Sequence, residues 1–422
     1  MRSPKLGGSP HRQYYKYYAG YTQGFVEDML RSLQVPADGI VLDPWNGVGT
    51  TTVAATATGL NAFGYDINPA AVIIGRARLI GSDVADSLLP IAVEICDRAC
   101  SHQFRLRNDD LLSTWFGPST ATEIRALERA VFRILVDPDC DGSQPVFQLG
   151  MPHTSLASVY YVALFRAVRE LVRAYVPSNQ SWIKNPAGRR LGVRRSELHR
   201  AFLDAVKVSN PYLGQLEIPL LTKEGVATIG VASSTGIPMD DKSVDAIVSS
   251  PPYCTRLDYV KATLPELAVV GLTSSDIRRL RDQMIGTPTI SGSAEDATPS
   301  VWGQETATLI DLITSHSSKA SSTYYKKYYL QYFSGMWSSL NELHRVVKPG
   351  GLMALVVQDS FYKDVHVDLP ALILDMGTQA GWTTRRRVNF TVPRTMASIH
   401  PGSRQYRQDF RAVESAIVLE RV

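Results

Sequence analysis

The tetrapeptide Ser250-Pro251-Pro252-Tyr253 contains the residue types in this chain that could most directly do chemistry. It follows the apolar run 244–249, which is typical of a buried strand, and the two prolines end that strand because proline cannot donate to a sheet ladder. The Ser250 hydroxyl and the Pro251 carbonyl would then lie at the carboxyl end of a strand, where ligands bind in open α/β sheets.

These groups suit the alkylation of an amine on a nucleobase. Such an exocyclic amine is a poor nucleophile, because its lone pair is delocalised into the ring. Acceptors on its N–H bonds favour a tetrahedral nitrogen and aim the lone pair at an electrophile, and the Tyr253 ring could stack on a base swung out of a duplex. The same four residues also fit a plain exit from a strand into a turn, so the interpretation depends on a cofactor site elsewhere in the chain.

A second motif, near the amino terminus, predicts such a cofactor site. The apolar strand 39–42 leads into the glycine-containing loop 43–52, which opens a helix rich in Ala and Thr, and a second strand, 62–65, ends at Asp66. Glycines let the backbone approach a ligand closely, and an acid at this distance can accept hydrogen bonds from ribose hydroxyls. The pattern therefore predicts a βαβ nucleotide-binding unit, in which Asp43 could accept from a cationic ammonium.

The composition is that of a globular chain with no secretion or membrane signal. Of 422 residues, 44% are hydrophobic and 20% are charged, and the net charge of +4 is compatible with nucleic acid without proving it. The four scattered cysteines match neither a disulfide framework nor a zinc motif. We expect reduced thiols in a cytoplasmic protein, with no metal, no export and no membrane span.

The remaining chain divides into two insertions and a second half of the sheet. We predict a helix over 257–272 and another that opens at the tyrosine-rich run 324–329, with its rings facing inward rather than touching DNA. The expected parts are the amino-terminal segment with the cofactor-binding half (1–79), a mainly helical insertion suited to target recognition (80–225), the catalytic half (226–272), a mobile insertion (273–322), and the rest of the sheet with a carboxyl-terminal hairpin (323–422).

Basic residues are concentrated in the run between Lys184 and Arg200 and in the predicted carboxyl-terminal hairpin, and both sets suit contact with phosphate groups. For the run between Lys184 and Arg200, the alternative is a charged surface solvated by water. The candidates for nucleic-acid binding are Lys184, Arg189, Arg190, Arg194, Arg195, Arg394 and Arg404.

The two motifs together resemble the amino-group DNA methyltransferases, the N4-cytosine and N6-adenine enzymes that use S-adenosyl-L-methionine. The loop Asp43-Pro44-Trp45-Asn46-Gly47-Val48-Gly49-Thr50-Thr51 is similar to the cofactor loop of that family, and Ser250-Pro251-Pro252-Tyr253 is similar to its catalytic motif. The resemblance implies an α/β, Rossmann-like methyltransferase fold: a mostly parallel twisted sheet with helices on both faces and a large helical insertion. It also implies S-adenosyl-L-methionine as cofactor and double-stranded DNA as substrate.

The resemblance assigns residues to the cofactor site as well. Asp66 matches the ribose-binding acid, Ile67 is expected against the adenine, and Ser233 stands where many members have an Asp near that ring. The tyrosine-rich stretch before Phe25 matches a further segment that contacts the cofactor. The implied cofactor-binding residues are Asp43, Pro44, Trp45, Gly47, Gly49, Thr50, Thr51, Asp66, Ile67 and Ser233, and the catalytic residues are Ser250, Pro251, Pro252 and Tyr253.

The first position of the catalytic motif favours cytosine as the target. Ser250 resembles the N4-cytosine enzymes, whereas the adenine enzymes usually have Asp or Asn there. N6-adenine methylation stays open as the alternative, and so do methylation of RNA or of a protein amide, and a catalytically inactive DNA-binding or partner subunit of the same fold. The usual setting of the family adds a possible restriction or phage-defence partner.

Overall fold

A computed structural model of the chain describes residues 3–4, 14–15, 20–99, 105–139, 154–177, 183–186, 188–209, 225–290, 299–392 and 412–422. Strands form where apolar residues run between turn signals, as the sequence predicts for the two motifs. In chain order, the strands are β1 (Ile40–Asp43), β2 (Asn61–Asp66), β3 (Ala227–Val231), β4 (Val244–Ser249), β5 (Val347–Gln358), β6 (Ser360–Tyr362), β7 (Val365–Val367), β8 (Trp382–Val392) and β9 (Ala412–Arg421).

Seven of these strands form one twisted, mostly parallel sheet in the order β3-β2-β1-β4-β5-β9-β8, and only β9 runs antiparallel to its two neighbours. The direction of the strand order reverses between β1 and β4, where Val41 pairs with Ala246 and Leu42 with Ile247. Ligands bind at such a switch point, outside the carboxyl ends of the strands. The loop after β1 and the loop after β4, which contain the two motifs, therefore lie side by side.

Helices cover both faces of the sheet, which confirms the predicted fold class. They are α1 (Gln23–Leu33), α2 (Thr50–Ala57), α3 (Pro69–Ala77), α4 (Ala85–Arg98), α5 (Pro118–Leu135), α6 (Ser155–Leu171), α7 (Arg195–Ser209), α8 (Tyr259–Ala262), α9 (Leu264–Val270), α10 (Ser274–Gln283), α11 (Gln304–Ser315), α12 (Lys326–Val346) and α13 (Leu369–Gln379). The stretch 257–272 is largely helical, as predicted, but it is divided at Thr263 into α8 and α9. Pro265 lies in the first turn of α9, where its missing N–H does no harm.

Alternate residues of the central strands face two separate cores, because successive side chains of a strand point to opposite faces. Val41 and Ala246 pack with α1 and α2, whereas Leu42 and Ile247 pack with α11, α12 and α13. A fully buried side chain of the size of Val41, Leu42 or Ile247 contributes roughly 1.5–3 kcal/mol to folding. The two cores fix both faces of the sheet at the switch point.

The described part of the predicted insertion 80–225 is helical and shares a core with helices of the sheet layer. Residues of α4, α5, α6 and α7 form one apolar cluster with α3 and α9. Buried ions reinforce this packing: Arg125 of α5 donates to the carbonyls of Ala268 (2.9 Å) and Val269 (2.7 Å) at the end of α9, and pairs with Asp110 and Glu128. The role of this region in target recognition stays a prediction.

The predicted mobile insertion 273–322 contains α10 and α11. Thr273 and Asp276 form a capping box at the start of α10, and Leu309 and Ile313 of α11 belong to the core beneath the sheet. The mobility of this segment stays a prediction. Among the described residues, no helix is both long enough and apolar enough to cross a bilayer.

Candidate active site

The loop after β1 is a tight turn that only its glycines permit. Gly47 and Gly49 have φ values of 50° and 81°, a left-handed conformation that favours glycine. A Cβ at Gly49 would also lie 3.1 Å from the Cα of Gly75, because α3 crosses close to the loop. The turn delivers the chain into the first turn of α2, as the sequence predicts.

The carboxylate of Asp66 lies against this loop at the carboxyl end of β2. Its two oxygens accept hydrogen bonds from the backbone N–H groups of Gly47 (2.9 Å) and Asn68 (2.8 Å). Burial raises the pKa of Asp66 to about 6, although these two donors favour the charged form. Each oxygen keeps acceptor capacity for a further donor, so the residue has the chemistry expected of a ribose-binding acid.

An open cleft of about 350 Å³ lies next to Asp66, and it contains two of the predicted cofactor residues, Ile67 and Ser233. Thr235 and Gln283 also line it. No motif pointed to Gln283, because this residue ends α10, in the segment predicted as a mobile insertion. The amide of Gln283 offers both a donor and an acceptor to a heterocycle.

Asp43 lies beneath the loop, with only 3% of its surface exposed. It accepts hydrogen bonds from the Trp45 backbone N–H (3.1 Å), from the Ser249 hydroxyl (2.5 Å) and from the Tyr21 hydroxyl (3.3 Å). Desolvation raises the pKa of Asp43 to about 6 against the effect of these donors. The burial favours a role in organising the loop, and direct contact of Asp43 with an ammonium stays a prediction.

The other predicted loop residues differ in exposure, and their contact with the cofactor stays a prediction. Pro44 and Thr51 are buried, and Trp45 and Thr50 are partly exposed. The Thr51 hydroxyl donates to the Val248 carbonyl at 3.2 Å, which joins the cofactor loop to β4.

Tyr21 is a residue of this site that motif reasoning did not single out. Its hydroxyl lies 2.6 Å from Thr51 Oγ1 and donates to the Val248 carbonyl at 3.3 Å, in addition to Asp43. The tyrosine-rich stretch before Phe25 was the available signal. Tyr21 therefore ties the amino-terminal segment to both motifs.

The catalytic motif predicted from sequence forms a connected set of polar groups at the end of β4. The Ser250 hydroxyl donates to the Val356 carbonyl at 3.0 Å and lies 3.4 Å from the Tyr253 hydroxyl. Because its proton is used within the protein, Ser250 can offer lone pairs to an amine. Pro251 is buried, and no described residue donates a hydrogen bond to its carbonyl.

A buried glutamate lies behind this motif and was also missed. Tyr253 donates its hydroxyl proton to Oε1 of Glu414, on β9, at 3.1 Å. Burial, together with the charge of Glu414, raises the pKa of Tyr253 well above its usual range. The sequence signal was a single acid inside the apolar run 412–419.

The tyrosine-rich helix α12 supports the catalytic loop from within, which confirms the prediction that its rings face inward. Tyr328 and Tyr332 are almost fully buried. The Tyr332 hydroxyl donates to the Pro252 carbonyl at 2.8 Å, and the Arg256 backbone N–H donates to the Tyr328 hydroxyl at 3.1 Å. Four residues apart along a helix, these two rings share one face, so they can hold two points of the loop.

Cys254 follows the motif, and its thiol is buried. Burial raises the thiol pKa far above its usual range, so a thiolate nucleophile is disfavoured. Among the described residues, no cluster of His, Cys, Asp and Glu has the arrangement of a metal site.

The basic residues proposed for nucleic-acid contact are only partly placed. Lys184, Arg189 and Arg190 are exposed. Arg194 pairs with Glu197, and Arg195 donates to the Ala99 carbonyl, so part of their charge is used locally. Arg394 and Arg404 lie outside the described residues, and the role of the whole set stays a prediction.

Comparison with known proteins gives distant relatives. No family model matches the chain. It is 22% identical to the type II methyltransferase M.BsoBI of Geobacillus stearothermophilus over 288 residues, which cover 64% of this chain and 54% of the relative. It is 26% identical to the type II methyltransferase M.AvaI of Nostoc over 157 residues, which cover 34% of this chain and 31% of the relative. The chain thus spans about half the length of the first of these relatives and less of the second.

Among solved structures, a SAM-dependent methyltransferase from Methanosarcina mazei is 9% identical, with a TM-score of 0.32, over 93% of this chain and 97% of its own. These curated relatives are type II methyltransferases, which agrees with the resemblance at that level, whereas the catalytic motif and the choice of base stay predictions.

Proposed function

We propose that the chain is a DNA methyltransferase that transfers a methyl group from S-adenosyl-L-methionine to the exocyclic N4 amino group of a flipped cytosine. The observation that carries the proposal is the meeting of two motifs at the switch point of the sheet. Ser249 directly precedes the catalytic motif, and its hydroxyl donates to Asp43 in the cofactor loop at 2.5 Å. A methyl donor on one loop and an amine on the other would be neighbours.

The residues present fit the cofactor. The Asp66 carboxylate would accept from the ribose hydroxyls, and Ile67, Ser233 and Gln283 would surround the adenine in the cleft of about 350 Å³. The glycines of the turn allow the backbone to approach the methionine part closely. When bound, S-adenosyl-L-methionine supplies an electrophilic methyl group on a positively charged sulfur.

The catalytic motif would prepare the amine. Ser250, already donating to Val356, accepts one N–H bond of the amine, and the free Pro251 carbonyl accepts the other. Both contacts localise the nitrogen lone pair and point it towards the methyl group. The Tyr253 ring, partly exposed while its hydroxyl is anchored to Glu414, would stack on the base.

The choice of N4-cytosine rests on Ser250, in keeping with the resemblance described above. The DNA substrate rests on that resemblance and on the curated type II methyltransferases. The helical insertion and the exposed Lys184, Arg189 and Arg190 are the surfaces proposed for target recognition and phosphate contact. A restriction or phage-defence partner belongs to the same proposal.

The test uses the purified protein, mixed-sequence duplex DNA and methyl-labelled S-adenosyl-L-methionine, followed by nucleoside mass spectrometry. We expect N4-methylcytosine. N6-methyladenine would keep the fold and mechanism but overturn the choice of base from Ser250. Cofactor binding without any methylated base would overturn DNA as the substrate and turn attention to RNA or a protein amide.

A further inference from the structure

Ser250, Tyr253 and Glu414 form a continuous chain of hydrogen-bonding groups that leads from the catalytic motif into the sheet. Ser250 Oγ lies 3.4 Å from the Tyr253 hydroxyl, which donates to Glu414 Oε1 at 3.1 Å. Glu414 is 1% exposed. A buried carboxylate is costly to desolvate, so its position beside a candidate catalytic motif calls for a reason beyond packing.

The proposed reaction creates a need for a proton acceptor. An amine that has attacked a methyl group becomes positively charged and must lose one proton to give the neutral product. The Ser250 hydroxyl and the Pro251 carbonyl can accept hydrogen bonds, but both are far weaker proton acceptors than a carboxylate. Family members with an acid at the first position have a carboxylate at that point, and this chain has none there.

We propose that Glu414 is the final acceptor of the amine proton, which it receives through Tyr253 and Ser250. This inference rests on the proposed function. As the methyl carbon leaves sulfur, the sulfur keeps the electron pair of the broken bond and the amine nitrogen forms the new one. For the transfer, the Ser250 hydroxyl turns its proton from the Val356 carbonyl towards the Tyr253 hydroxyl, 3.4 Å away. The amine then gives a proton to Ser250, Ser250 gives its own proton to Tyr253, and Tyr253 gives its own to Glu414, so that Ser250 and Tyr253 end unchanged and neutral.

The groups around this chain favour concerted transfer. Burial and the charge of Glu414 disfavour a free phenolate on Tyr253, so the phenol must receive and donate in one step. Among the described residues, the titratable groups near this chain include Tyr259, whose charge would act on Tyr253, and Asp359, which follows β5. Asp359 accepts from the Val413 backbone N–H at 2.8 Å and from His366 of β7 at 2.9 Å. On β8, Phe390 is the residue opposite Glu414.

Glu414 acts through Tyr253 and is therefore a positioning residue, so its test needs more than a loss of rate. The experiment measures single-turnover methyl transfer against pH for the wild type, Glu414→Gln, Tyr253→Phe and the double variant. The glutamine keeps the size and an acceptor oxygen but cannot take a proton, and the phenylalanine keeps the stacking ring but interrupts the chain. Calorimetry with S-adenosyl-L-methionine checks that each variant still binds the cofactor.

We expect each single variant to lose about 100-fold in transfer rate and the double variant to lose no more than either one. The rates are measured at saturating cofactor, so that protonation of Asp66 does not limit them, and under that condition the acidic limb of the wild-type pH profile should disappear in the variants. Cofactor affinity should stay within twofold. His366→Gln is the matched control, because it changes an exposed titratable ring that contacts Asp359, and it should keep the acidic limb.

Two outcomes would overturn the inference while leaving the proposed function intact. One is wild-type transfer rates in Glu414→Gln. The other is a lower rate with the acidic limb unchanged, which would mean that Glu414 only supports the fold. Absence of transfer by the wild type would overturn the proposed function and this inference together.

Discussion

We predict different effects for substitutions of two adjacent serines at the end of β4, and the comparison of the two tests the site most sharply. The Ser249 side chain is fully buried and donates to the Asp43 carboxylate at 2.5 Å. The Ser250 side chain is partly exposed and donates to the Val356 carbonyl. We expect Ser250→Ala to impair the methyl-transfer step and Ser249→Ala to impair folding and cofactor binding.

The magnitudes follow from what each hydroxyl contacts. Removing one positioned acceptor from a reacting group costs about two to three orders of magnitude in rate, or roughly 2.7–4 kcal/mol. Removing a hydrogen bond to a buried carboxylate costs roughly 1.5–3 kcal/mol of stability. Without the Ser249 donor, the pKa of Asp43 should rise further above about 6, and the cofactor loop should lose part of its support.

Three measurements separate the two residues. Urea denaturation gives the free energy of unfolding, calorimetry gives the affinity for S-adenosyl-L-methionine, and rapid-quench single turnover gives the transfer rate at saturating cofactor and DNA. Ser250→Ala should keep the stability within about 1 kcal/mol and the cofactor affinity near wild type. Ser249→Ala should lose stability and cofactor affinity but transfer at close to the wild-type rate once saturated.

Near-wild-type transfer in Ser250→Ala would refute the proposed role of Ser250, because the hydroxyl would then not hold the amine. That role would equally be refuted if the two variants had the same pattern of losses. In that case the end of β4 would act as one structural unit, and the separation of the two serines into different roles would be wrong.

Three further predictions concern the cofactor cleft and the core of the insertion. Gln283→Leu should weaken cofactor binding by about three- to tenfold in calorimetry, the value of one neutral hydrogen bond, and an unchanged affinity would exclude contact with the adenine. Cofactor affinity should fall as the pH drops through about 6, because a protonated Asp66 carboxyl accepts hydrogen bonds poorly. The free energy of unfolding of the cofactor-free protein should instead rise from pH 7 towards pH 5, because the pKa of Asp66 is higher in the folded than in the unfolded chain. Asp66→Asn should remove both of these contributions of Asp66. Arg125→Met removes the buried cation that pairs with Asp110 and Glu128 and should cost roughly 3–5 kcal/mol in urea denaturation. Arg173→Met, which breaks an exposed pair, should cost below about 1 kcal/mol.

Local rules were enough for the parts of the site that a few consecutive residues define. Gly47 and Gly49 permit a left-handed backbone, the prolines at 251 and 252 must end a strand, and Asp66 ends β2. The sequence therefore predicted the two loops. Parallel strands then place both loops at one sheet edge. The α/β class and the positions of Ile67 and Ser233 in one cleft follow the same logic.

Contacts between distant segments depended on the tertiary structure. Glu414 lies 161 positions after Tyr253 and contacts it only because β9 pairs antiparallel with β5. The spacing of residues in the sequence does not predict such pairing. Gln283 lines the cleft because α10 folds back over it. The helical period of the insertion 80–225 does not show what its apolar faces pack against, and in the structure they share a core with α3 and α9. The sequence alone determined which residues could do chemistry, because backbone restrictions and strand ends are local. Only the tertiary structure decided which residues support them, because burial and hydrogen bonding join segments that lie far apart in the chain.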